Sequence, residues 1–149
     1  MTADEPPAEH LEIPCDLHDA MVAHCVRESP LECCGILGGV PPRVSSFHPL
    51  RNELASETRY RAHSQDLIEA IVSLRGRGAE MLAIYHSHPR WQAIPSQTDL
   101  RDNYYGPVPR IIVSLLNETP DVRIWRLETD SCRELSWRIV EPTDSCADA

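Results

Sequence analysis

Apolar positions recur along the chain in two rhythms, and the switches between them outline its elements. Leu17, Ala20, Met21, His24 and Cys25 share one face at helical spacing, with Asp16 placed to cap that helix and Pro30 to end it. A second helix is predicted from about Ser64 to Arg75 on the stripe Leu67, Ile68, Ile71 and Leu74. Its acids, Asp66 and Glu69, come early and Arg75 comes late, as the helix dipole favours, and Gly76 and Gly78 stop it. Strands are expected at about 33–39 and 43–49, separated by Val40-Pro41-Pro42, with His48 read as a loop residue. The unbroken run Met81-Leu82-Ala83-Ile84-Tyr85 reads as a buried strand. Three late strands are expected near 109–116, 121–128 and 132–140, where Val122, Ile124 and Leu127 suggest a hairpin partly open to solvent. No repeat and no linker long enough for a second domain is present.

The buried strand carries the candidate chemistry. His86 and His88 follow it as i and i+2, so they project to one side and a single metal ion can reach both. Asp99 falls in the first turn of a short helix beginning near Ser96, beyond a loop from Pro89 to Pro95. Folding that helix over the strand end would add its carboxylate to the two imidazoles, a nitrogen and oxygen set suited to zinc with a fourth position open to water. Such a site needs a base, and Glu32, at the entrance to the strand near 33–39, is assigned that role. Plainer readings exist for each residue. His-x-His occurs at ordinary strand ends, Ser96 with Asp99 resembles a helix cap, and a lone Glu is usually a surface acid.

Taken together, Glu32 and His86-Ser87-His88-Pro89 followed by Ser96 and Asp99 resemble the JAMM, or MPN-plus, metallopeptidase signature. Five fixed residues at set spacing arise by chance on the order of once in 10⁴ chains of this length. Pro30-Leu31-Glu32-Cys33-Cys34-Gly35, Met21 to His24, Asn52 and Tyr60-Arg61 are similar to the compact bacterial members of that family. Among these, the nearest likeness is to peptidases that free cysteine from the C-terminus of a ubiquitin-like sulfur carrier protein. The resemblance spans roughly residues 11 to 140. It implies a cytidine-deaminase-like α/β fold, a mixed central sheet flanked by helices. It also implies one zinc ion per chain held by His86, His88 and Asp99, Glu32 as general acid and base, and Ser96 as an oxyanion donor. The implied partner is a small carrier ending in Gly-Gly, whose extended tail would add beside an exposed strand near the zinc. Trp91, in the loop between His88 and Ser96, is a candidate contact for that tail. Removal of ubiquitin-like modifiers from lysine, and a non-catalytic scaffold of the same fold, are the alternatives.

Composition narrows the setting. With 149 residues, 23 acidic and 14 basic side chains, and a net charge of −9, the chain is one acidic domain without the basic face a nucleic-acid groove requires. Every basic residue is Arg, so there is no lysine to carry a conjugated tag. No apolar stretch approaches a membrane span and no signal peptide is indicated, which makes a cytoplasmic location the expectation. The six cysteines form no Cys-x-x-Cys pair and are expected as thiols, one of Cys33 and Cys34 filling core space. Residues 1–10 and 141–149 are expected as a disordered and a flexible tail around a domain over 11–140. Nothing in the residues sets the oligomeric state.

Overall fold

The structure is a computed structural model that describes residues 10–103 and 105–143. Among the described residues seven strands close into a barrel in the order β1-β3-β2-β4-β5-β6-β7. They are β1 (His10–Pro14), β2 (Cys34–Val40), β3 (Arg43–Leu50), β4 (Glu80–His88), β5 (Arg110–Ser114), β6 (Asp121–Leu127) and β7 (Cys132–Val140). Three helices, α1 (Cys15–Glu28), α2 (Ser64–Gly76) and α3 (Gln97–Arg101), accompany them. The expected mixed sheet with flanking helices is present. Its closure was not anticipated: β1 pairs in parallel with β7 from His10↔Ser136 to Pro14↔Val140, and touches β3 at Glu12↔Arg43.

β4 occupies the middle, antiparallel to β2 and parallel to β5. One of its faces packs Ala83 and Tyr85 with Met21 and Cys25 of α1, and the other packs Ile84 with Ala70 and Leu74 of α2. A strand covered on both faces must be apolar at every position, which is why its sequence shows no alternation. β2 is enclosed in the same way, so Cys33 and Cys34 are both buried, one in each cluster. Gly35 stands opposite Tyr85, and a Cβ there would lie 2.2 Å from the Tyr85 Cζ. The missing side chain is the space the phenol occupies, and the Tyr85 hydroxyl lies 2.6 Å from His24 Nδ1 in the core.

Two local expectations, those for Asp16 and His48, are corrected, and the α2 cap and the interior position of β4 add to the picture. α1 begins at Cys15 behind Pro14, so Asp16 does not cap it; its carboxylate instead accepts from the Thr143 backbone N–H at 3.1 Å and from the Thr143 hydroxyl. α2 is capped by His63, whose Nδ1 accepts from the Asp66 N–H. His48 lies within β3, its Nε2 2.9 Å from the Ser46 hydroxyl. The strand carrying His86 and His88 is internal, with β5 beside both residues at Ile112 and Ser114, so it offers no edge for an incoming tail to extend. Of the expected tails, residues 1–9 and 144–149 lie outside the described residues.

Candidate active site

The end of β4 brings His86 and His88 out on one face, as the two-residue strand period requires, and α3 lies across it. Ser96 caps α3 through its hydroxyl, which accepts from the Asp99 N–H at 2.9 Å, while Asp99 Oδ2 accepts from the Ser96 N–H at 2.8 Å. This reciprocal cap fixes the Asp99 carboxylate in the same orientation that points it at the histidines. The capping and clustering roles therefore coexist. His86 Nε2 is 3.2 Å from Asp99 Oδ1, His88 Nε2 is 3.1 Å from Oδ2, and the two Nε2 atoms are 3.2 Å apart.

Such a cluster is unstable without positive charge at its centre. His88 Nδ1 is 2.7 Å from the carbonyl of Gln92, which can only accept, so Nδ1 carries the proton. In the neutral ring Nε2 is then a lone pair, and it faces a carboxylate oxygen and another imidazole nitrogen. A cation between the three donors removes the conflict. Donors about 2.0–2.2 Å from a tetrahedral zinc lie roughly 3.3–3.5 Å apart, close to the spacings found here. The residues thus fit a divalent ion with two imidazoles, one carboxylate and an open position. Burial opposes ionisation of Asp99, but His86, His88 and the Ser96 N–H outweigh it and hold the carboxyl well below its usual range.

Glu32 lies beside this cluster and is held by its backbone. Its N–H donates to Ser56 O at 2.8 Å and its carbonyl accepts from Asn52 Nδ2 at 3.0 Å. The next residue, Cys33, donates its N–H to the Ser87 hydroxyl at 2.9 Å and accepts from the Ser87 N–H at 3.0 Å. Ser87 sits between the two histidines, so one strand orders both halves of the site. Glu32 is only 4% exposed and its Oε1 has no hydrogen-bond partner among the described residues. Burial, reinforced by the charge of Asp99, pushes its carboxyl up to about 9. A nearby cation would draw it back down.

Glu32, His88, Ser96 and Trp91 line one groove of about 460 Å³, together with Glu57, Thr58 and Arg90. Trp91 is 44% exposed and its ring centroid is 5.4 Å from that of His88. The loop bearing it is pinned: Trp91 O accepts from the Ser114 hydroxyl, Ala93 O from the Trp125 indole at 2.9 Å, and His88 O from the Leu115 N–H at 3.1 Å. Sequence reasoning missed these supports. It also gave no role to Tyr60, whose ring stacks on His86 at 4.4 Å, or to Arg110, buried among the Val108 carbonyl, Asn103 and the Tyr105 ring. A backbone acceptor such as Gln92 O leaves no trace in a sequence. Asn52 could have been suspected, because an amide before a loop of polar residues commonly organises it: its Oδ1 also accepts from Leu54 and Arg61.

Residues 14–128 match the family described as prokaryotic homologues of the JAB domain. The chain is 37% identical over 93 residues to the CysO-cysteine peptidase of Mycobacterium tuberculosis, an alignment covering 61% of this chain and 64% of that protein. It therefore spans just under two thirds of the length of that curated relative. Identity to the probable TtuB-protein conjugate cleaving protease of Thermus thermophilus is 38% over 103 residues, 68% of each chain. The solution structure of protein DSY2949 from Desulfitobacterium hafniense superposes with a TM-score of 0.83 and 26% identity, over 91% of this chain and 97% of that one.

Proposed function

The chain belongs to the family of prokaryotic JAB-domain homologues, and on that premise we propose that it is a zinc-dependent peptidase acting in the cytoplasm. Its substrate is the amide bond after the C-terminal Gly-Gly of a small ubiquitin-like sulfur carrier, and its product is cysteine. The observation carrying this reading is the approach of His86, His88 and Asp99 to within 3.2 Å of one another beside a buried carboxyl with an unpartnered oxygen. A scaffold has no use for that costly arrangement.

His86, His88 and Asp99 would hold the ion. Zinc, when bound, supplies Lewis-acid polarisation of the scissile carbonyl and brings the pKa of water toward neutrality. Glu32 Oε1, free of other partners, accepts the proton of the attacking water and returns it to the departing amine. Held down by the ion's charge, its proton affinity lets the carboxylate take that proton, and burial keeps the group basic enough to hold it between the two steps. Ser96 receives the Asp99 N–H on its oxygen lone pair, leaving its hydroxyl hydrogen to donate to the developing oxyanion. Trp91 gives the tail an apolar wall, and the pinned loop keeps that wall in place.

The two named relatives point to ubiquitin-like proteins as the substrate class, one through a cysteinyl carrier and the other through protein conjugates. The likeness to the Thermus protease supports a second reading, cleavage of lysine conjugates. Mass spectrometry of a carrier ending Gly-Gly-Cys, after incubation with zinc-loaded protein, tests the first. Loss of the cysteine residue that stops with a chelator and returns with zinc is the expected result. An intact carrier alongside cleavage of a lysine conjugate would replace it with the second.

A further inference from the structure

Given the peptidase activity proposed above, one feature of the groove bears on which leaving group it accepts. Among the groove's lining residues Arg90 alone carries a permanent positive charge, two positions after His88. Glu32 and Glu57 line the same space, and Asp99 lies behind it. Arg90 is also weakly committed. Its guanidinium is 3.7 Å from Glu57 Oε1, beyond hydrogen-bonding distance, with side chains 78% and 50% exposed. Other arginines nearby are engaged more closely: Arg59 with Asp102 at 3.2 Å, Arg61 with Glu53 at 3.1 Å, and Arg110 inside the fold.

We propose that Arg90 determines specificity by binding the α-carboxylate of a single residue leaving after the Gly-Gly, with Glu57 occupying its guanidinium until substrate arrives. In a substrate ending in one amino acid, the carboxylate is one carbon removed from the nitrogen of the scissile amide. It must enter the groove with that amide. There it meets the carboxylate of Glu57, and the guanidinium beside it supplies a compensating charge that a carboxamide has no need of. A guanidinium accepts both carboxylate oxygens through parallel N–H donors, and exchanging the loose Glu57 contact for that pairing loses little. A lysine side chain leaving from a conjugated protein carries no carboxylate at this point, so Arg90 gives it no advantage. The residue thus separates the two substrate types by charge.

The test compares two ligands that differ only at the terminus, a Gly-Gly-Cys peptide as free acid and as carboxamide. For the zinc-loaded protein kcat/KM is measured for both, and Kd for both is measured with the Glu32→Gln protein. The acid should be preferred by at least about tenfold, the scale of a charge-assisted hydrogen bond. Arg90→Gln should bring the acid-to-amide ratio close to one, Arg90→Lys should restore part of it, and Glu57→Gln should raise it above the parent value. Equal use of the two ligands by the parent protein, or an unchanged ratio in Arg90→Gln, overturns the proposal. If neither ligand is cut, the peptidase reading fails, and the two Kd values still decide whether Arg90 recognises the carboxylate.

Discussion

Replacing Ser87 by Ala removes the acceptor for one buried N–H and tests whether the histidine strand truly orders Glu32. The Ser87 hydroxyl accepts from Cys33 at 2.9 Å, and both residues are closed to solvent. Alanine leaves that N–H without a partner, since water cannot replace the lost oxygen in a packed core. An unsatisfied buried donor costs about 1–3 kcal/mol. At about 2–4 °C per kcal/mol for a chain of this size, Tm should drop by roughly 2–12 °C. Urea unfolding of metal-free protein, followed by tryptophan fluorescence, should show an earlier midpoint at unchanged slope. Because Cys33 follows Glu32 directly, turnover should fall by more than the loss of folded protein explains. A stability loss below about 0.5 kcal/mol, within the range of neutral surface substitutions, would refute the reasoning.

Glu32→Gln should retain zinc, measured by metal analysis after dialysis, while kcat falls by about 10²–10⁴, the usual weight of general acid–base catalysis; His86→Ala should lose both metal and activity, and a turning-over Glu32→Gln would remove the assigned base. In chelator, Glu32 also makes stability depend on pH. Its proton affinity is raised in the folded state, to about 9 from 4.5, so its stabilising contribution is complete below about pH 4.5 and is lost as pH rises toward 9. Gln mimics the protonated acid and does not titrate, so Glu32→Gln should match the parent in Tm near pH 5 and exceed it increasingly toward pH 9, and a difference constant with pH would contradict the burial. Gly35→Ala should destabilise by about 1–3 kcal/mol as the new methyl meets the Tyr85 ring, and a neutral result by chemical denaturation would show that the ring moves freely. Trp91→Ala should raise KM with little change in kcat, and an unchanged KM would take Trp91 out of the tail-binding wall.

Much of the site was legible because its parts are local. His86 and His88 share a strand end and Ser96 and Asp99 share a helix turn, so period and spacing are enough to suggest which side chains point together. α2 was legible for the same reason, having a regular stripe and a glycine stop. β1 was not, because five residues with Leu11 and Ile13 inward form too short a pattern to separate from a loop. Its pairing with β7, about 126 positions away, has no local signature. The supports of Glu32 were hidden for a related reason: Ser56 O and the Cys33 backbone act through peptide groups that every residue possesses. Cys25 and Cys33, whose sulfurs lie 3.4 Å apart, come from a helix and a strand entrance that only the folded core unites.

The β1–β7 seam has a consequence for how the polypeptide matures. β1 is synthesised well before β7, so the ring stays open until residues near 140 have emerged from the ribosome. During that interval β6 lacks its neighbour β7 and presents unpaired amide groups that a stray strand could capture. Loop closure over such a separation is also slow compared with formation of α1 or the β2–β3 hairpin. The open barrel is therefore most exposed to aggregation just before β7 arrives.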